Sequence, residues 1–143
     1  MKIGLFAESF DPWQEIVRHQ SGQPALQGKY GATAVFVGTL RDFNQGVLVQ
    51  AMTLEHYPAM TEKYLERIAS EALSRWSIAD LLILHRYGEL RLNDPIVCVA
   101  VWAAHREAAF VACRYLIDEL KTRAPFWKQE LTETGHRWVE QEK

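Results

Sequence analysis

Residues 79–104 read ADLLILHRYGELRLNDPIVCVAVWAA. Two apolar runs, ADLLILHRYGEL (79–90) and PIVCVAVWAA (95–104), stand either side of the short polar turn RLND (91–94). Each run reads as a strand. A connection that short joins antiparallel neighbours, because a parallel pair needs a crossover of about a dozen residues or more. This one stretch therefore argues against a doubly wound parallel sheet.

Outward from it, the pattern repeats. Residues 2–8 read as a short strand. Asp11 followed by Pro12 is a helix start, an N-cap with Pro at the first helical position, and the helix runs to about His19. SGQPALQGKYG (21–31) is loop-like. ATAVFVGTL (32–40) is a buried strand, RDFNQG (41–46) a polar loop and VLVQAMTLEHY (47–57) a further strand. Pro58 opens a helix whose apolar positions are Tyr64, Leu65, Ile68, Leu73 and Trp76. HREAAFVACRYLIDELKTRA (105–124) is a third helix, with a stripe of Phe110, Val111, Tyr115, Leu116 and Leu120. Pro125 stops it, since the residue before a proline resists helical geometry. FWKQELT and HRWVE are two short strands around a turn at Thr134-Gly135. The order β-α-β-β-α-β-β-α-β-β predicts an α+β fold in one domain, residues 1–143, with no linker to divide it.

The totals narrow the function. The chain has 143 residues, 48% of them hydrophobic, and a net charge of −2. That is material for a real core, and no bulk charge to attract nucleic acid. No G-x-G-x-x-G and no P-loop is present. Two cysteines, Cys98 and Cys113, lie in apolar surroundings and lack metal-site spacing, so they read as small buried residues in a reducing compartment. The N-terminal apolar run is short for a signal peptide, and no stretch suits a bilayer. A cytoplasmic protein with no membrane partner and no metal is expected. The tryptophans at 13, 76, 102 and 138 read as core or interface residues.

The chemistry collects in LKTRAPFWKQE (120–130). Lys121, Arg123 and Lys128 surround the corner Pro125-Phe126-Trp127. A cation at a helix C-terminus answers the helix dipole, which is one reading of Lys121 and Arg123. The other is a pocket: apolar walls and neighbouring cations hold more of a lysine as the free amine, a nucleophile or base. Arg41 follows a buried strand and offers a bidentate grip on an anion, with Asn44 as a neutral partner, or else the loop is an ordinary turn. His105-Arg106 opens the third helix, where backbone N–H groups bind anions or a polar cap sits. His85, alone in an apolar strand, reads as a core histidine; His56 lies just before a helix. The basic groups come from separate strand–helix junctions, as an anionic small-molecule site would require. No carboxylate pair, Ser/His/Asp set or metal-ligand set competes with them.

The blocks GTLRDFN, MTLEHYPAMTEKYLERI, HRYGEL, AHREAAF and LKTRAPFWKQE with RWVE resemble the large, catalytic subunit of molybdopterin synthase, over roughly residues 31–140. The resemblance implies an α/β-hammerhead-type fold, α+β, with mostly antiparallel sheet and an added small β subdomain. It implies an enzyme that installs the two dithiolene sulfurs of molybdopterin on cyclic pyranopterin monophosphate. The sulfur would come from the C-terminal Gly-Gly thiocarboxylate of a small ubiquitin-like subunit. A central homodimer would carry one small subunit at each end. Lys121 and Lys128 would be the catalytic pair. Arg41, His105, Arg106 and Arg123 would hold the substrate, and Phe126 and Trp127 would wall the pocket. No cofactor is implied. The first thirty residues match the family poorly, and the chain ends soon after RWVE, where related chains often carry a longer basic tail.

Two other readings start from the same residues. A Schiff-base lysine enzyme would let borohydride trap a ketone or aldehyde on Lys121. A dimeric adaptor would bind the ubiquitin-like tail with no turnover.

Overall fold

The computed structural model describes residues 1–44, 47–123, 126–132 and 135–139. Its elements are β1 (Lys2–Phe6), α1 (Pro12–Ser21), a 3-10 turn at Pro24–Leu26, β2 (Ala32–Thr39), β3 (Phe43–Asn44), β4 (Val47–His56), α2 (Pro58–Arg75), β5 (Ile78–Arg86), β6 (Gly88–Arg91), β7 (Pro95–Ala103), α3 (Arg106–Arg123), β8 (Phe126–Thr132) and β9 (Gly135–Val139). The α+β expectation holds, with sheets that are mostly antiparallel.

One sheet has the order β1-β5-β7-β2. β7 pairs antiparallel with both β5 and β2. β1 joins β5 in parallel, the one departure from the antiparallel expectation for this sheet. Its two central strands, β5 and β7, are largely apolar without alternation because both their faces are covered. Leu81, Ile83, Val97, Val99 and Val101 pack on the α3 side with Leu65, Ile68, Leu116 and Ile117. Leu82, Leu84, Cys98, Ala100 and Trp102 pack with Phe10, Ile16 and Leu26 on the α1 side. Burying one such Leu or Val contributes about 1.5–3 kcal/mol.

The second sheet runs β3-β4-β8-β9, with β6 on the other edge of β4. Residues 79–90, read as one strand, are two strands in different sheets. The break falls at Tyr87-Gly88, where Gly88 has φ 83°, a conformation that favours glycine. β5 thus stays in the first sheet while β6 pairs with β4 in the second.

Asp11 caps α1 as expected, its carboxylate accepting from Trp13 N–H and Gln14 N–H at 3.0 and 3.2 Å. The stripe predicted for α3 is half right. Leu116 and Leu120 are buried, but Phe110 is 67% exposed, and the inward face is completed by small residues, Ala109, Ala112 and Cys113. On α2, Ala69 and Ala72 are buried where Leu73 had been expected. Trp102 is fully buried, whereas Trp13 and Trp138 are 60% and 58% exposed. Both cysteines are buried and free. Burial pushes the Cys98 thiol up to about 12 and that of Cys113 up to about 11, so neither is a thiolate near neutral pH. No helix among the described residues is long and apolar enough to cross a membrane.

Candidate active site

Lys121 lies in the last turn of α3, half-buried. It borders a cavity of about 80 Å³ where the two sheets meet. The walls come from six elements: Gly38 and Thr39 of β2, Leu54 of β4, His85 of β5, Val97 of β7, Leu120 of α3 and Phe126 of β8. A Cβ on Gly38 would stand 2.9 Å from a Val97 methyl, so a side chain there would have to displace Val97.

Phe126 begins β8, and its backbone pairs with His56 of β4. Its ring is buried and stacks on His85, with centroids 3.9 Å apart and planes at 15°. His56 lies on it at 5.7 Å, and Tyr87 stands 4.5 Å beyond His56. His56 Nδ1 is 3.1 Å from the Thr61 hydroxyl. Burial lowers the pKa of His56, against an opposing pull from Glu62. Lys128 follows two residues after Phe126 in β8, with its backbone in register with Leu54, a wall of the cavity. The side chains of Trp127 and Lys128 lie outside the described residues, as do that of Asn44 and all of Pro125.

The other predicted site residues stand apart. Arg41 is exposed, two positions beyond Thr39. Its neighbour Leu40 is tied to the β6–β7 turn, donating to Asp94 O at 3.0 Å and accepting from Asn93 N at 2.8 Å. Arg123 is exposed and ion-paired along the helix, its Nε 3.2 Å from Glu119 Oε2. Glu119 is also held by α2: the Tyr64 hydroxyl donates to its carbonyl at 2.9 Å and to its carboxylate at 3.2 Å. Arg123 therefore serves the α2–α3 contact and is not among the cavity walls.

His105 and Arg106 are exposed at the N-terminus of α3, and Lys121 is at its C-terminus. At 1.5 Å per residue, Arg106 and Lys121 are about 22 Å apart along the helix. One chain does not bring them together. His85 is the buried histidine expected, and it is a cavity wall as well. The only signal for it was a polar residue ending the run LLIL. Among the described residues, no cluster of three His, Cys, Asp or Glu is arranged for a metal.

The fold, two mostly antiparallel sheets with three α-helices among the described residues, is that of a family that comparison identifies. The MoaE protein family model matches residues 7–123. The chain is 51% identical over 140 residues to the molybdopterin synthase catalytic subunit of Pseudomonas aeruginosa PAO1, covering 98% of this chain and 91% of that protein. The solved MoaE protein from Burkholderia ambifaria MC40-6 is 48% identical and superposes with a TM-score of 0.80 over 99% of this chain and 90% of its own. The fold also recurs, at 20% identity and a TM-score of 0.79 over 96% of this chain and 90% of that one, in a structure from Helicobacter pylori 26695 described as a complex of subunits 1 and 2 of molybdopterin-converting factor. The chain belongs to the MoaE family.

Proposed function

We propose that this chain moves sulfur from the C-terminal thiocarboxylate of a small ubiquitin-like subunit to cyclic pyranopterin monophosphate, forming the dithiolene of molybdopterin. The family makes the chain an enzyme of molybdenum cofactor biosynthesis, the catalytic subunit of a molybdopterin synthase and a sulfurtransferase in reaction type. The observation that carries the residue-level reading is Lys121, half-buried in an otherwise mostly apolar cavity beside Phe126. An amine in such surroundings acts as acid, base or transient nucleophile on an incoming acyl group. Lys128, from the strand that Phe126 begins, stabilises developing negative charge. Phe126 and Trp127 wall the pocket, and Arg41 grips the substrate phosphate at its edge.

His105 and Arg106 complete the anion grip from a second copy of the chain. The length of α3 favours this, because about 22 Å separates them from Lys121 within one chain. In this reading residues 1–143 act as one cytoplasmic domain in a homodimer. The dimer binds one small subunit at each end and has no resident cofactor, metal, nucleic acid or membrane partner. The complex from Helicobacter pylori supports the small-subunit partner.

The test is turnover of purified protein with cyclic pyranopterin monophosphate and a small-subunit thiocarboxylate, read by fluorescence of oxidised product. Lys121→Ala should nearly abolish product at unchanged fold, since a cation at a helix end contributes only about 0.3–1 kcal/mol. Tail binding with no turnover by the wild-type protein would leave an adaptor instead.

A further inference from the structure

We propose that His85 is the proton acceptor serving Lys121 in this cavity. The inference rests on the sulfur-transfer reading and adds a further catalytic group to the two lysines. His85 is buried, at the end of β5, and borders the same cavity as Lys121. At about 30 Å³ per molecule, 80 Å³ has room for two or three waters, so one water or one substrate atom can touch both walls. Thr39 offers a hydroxyl there; the other described walls are glycine and apolar side chains. Among the described lining residues, His85 and Lys121 are the two whose side chains carry nitrogen.

The ring is fixed in one tautomer. Its Nδ1 is 2.7 Å from the Arg86 carbonyl. A carbonyl only accepts, so Nδ1 carries the hydrogen. In the neutral ring the lone pair is then on Nε2. The stack on Phe126 prevents the ring from turning to exchange the two nitrogens. Arg86 itself is turned away: its guanidinium donates to Ala7 O at 3.2 Å and to Glu89 O at 2.6 Å.

The step is a proton transfer. An N–H bond of the Lys121 ammonium breaks, directly or through one water, and an N–H bond forms at His85 Nε2. The electron pair stays on Lys121 Nζ, which then attacks or accepts; nothing is oxidised or reduced. The imidazolium returns the proton when the amine is released. A packing role alone would need the flat ring and not its basic nitrogen.

That difference supplies the test, in the same purified turnover mixture. His85→Ala should lower kcat by about 100-fold or more, the scale of general-base catalysis, with KM for both substrates within about twofold. Imidazole should restore the rate, and pyrrole, a ring of the same size with no basic nitrogen, should not. Equal rescue by both ligands would overturn the proposal, as would failure of both when each raises the melting temperature of the variant. Should His85→Ala not fold, His85→Asn keeps a donor for the Arg86 carbonyl and lacks the base. A folded, slow His85→Asn supports the proposal; a folded one at full rate overturns it. Wild-type protein without turnover would instead sink the sulfur-transfer reading. An active wild type, inactive Lys121→Ala and fully active His85→Asn would sink the His85 role alone.

Discussion

The ring of Phe126 packs against two histidines, His85 with centroids 3.9 Å apart and His56 at 5.7 Å. β8 therefore starts from a buried anchor, and the residues that follow it inherit their placement. Phe126→Ala should lose about 3–5 kcal/mol, the usual cost of emptying a buried aromatic site. Phe126→Leu should lose far less stability yet still lower turnover, because the flat surface against His85 is gone. Denaturant unfolding and kcat measured on both variants check this. Equal activity of Phe126→Leu and wild type would reduce Phe126 to a volume.

Asp80 ties three parts of the first layer together. Its carboxylate lies 2.8 Å from His19 Nε2 and 2.6 Å from the Met1 amine, and it accepts from Leu81 N–H at 2.8 Å. Burial opposes ionisation of Asp80, but these partners outweigh it and hold the carboxyl below its ordinary value. A lowered folded value means stability that is present above the unfolded value, near 4, and lost as pH falls through the folded one. Asp80→Asn should melt lower at neutral pH and show a flatter dependence below about pH 4. Parallel melting curves against pH for the two proteins would contradict this.

Glu130 is 2% exposed in β8, with its backbone opposite Arg137 in β9. The guanidinium approaches its carboxylate at 2.7 and 2.9 Å. Removing the guanidinium from a buried carboxylate costs up to about 3–5 kcal/mol. Arg137→Met should show a loss on that scale by denaturant unfolding. The double variant Glu130→Gln, Arg137→Met should recover part of it. A double variant no better than the single one would mean that the arginine matters by its packing.

If the second copy supplies His105 and Arg106, two inactive variants should rescue each other. Lys121→Ala and Arg106→Ala, mixed and allowed to exchange subunits, should form mixed dimers with one complete site. Product above the sum of the separate variants would show this. No gain, with subunit exchange demonstrated by mass, would place both residues in one chain's site or in none.

Much of the fold was legible because its signals are local. RLND between two apolar runs announced an antiparallel pair, and Asp11-Pro12 a helix start. The α3 stripe was misread because bulky Phe110 and Val111 looked like core. α3 lies close on β7 and β2, and small Ala109 and Ala112 allow that approach. The split at Gly88 was hidden because residues 79–90 stay extended on both sides of it.

The sequence by itself determined the family and the lysine corner, because KTRAPFWK is a contiguous block that sets two amines and a guanidinium beside aromatic side chains. Only the tertiary structure decided which groups share a cavity. His85 and Phe126 are distant in the chain and meet because β5 and β8 converge where the two sheets join. Arg106 and Lys121 share a helix and are kept apart by it, since a helix advances about 1.5 Å with every residue. Contact between distant segments depends on how buried faces pack, and no local pattern encodes that distance.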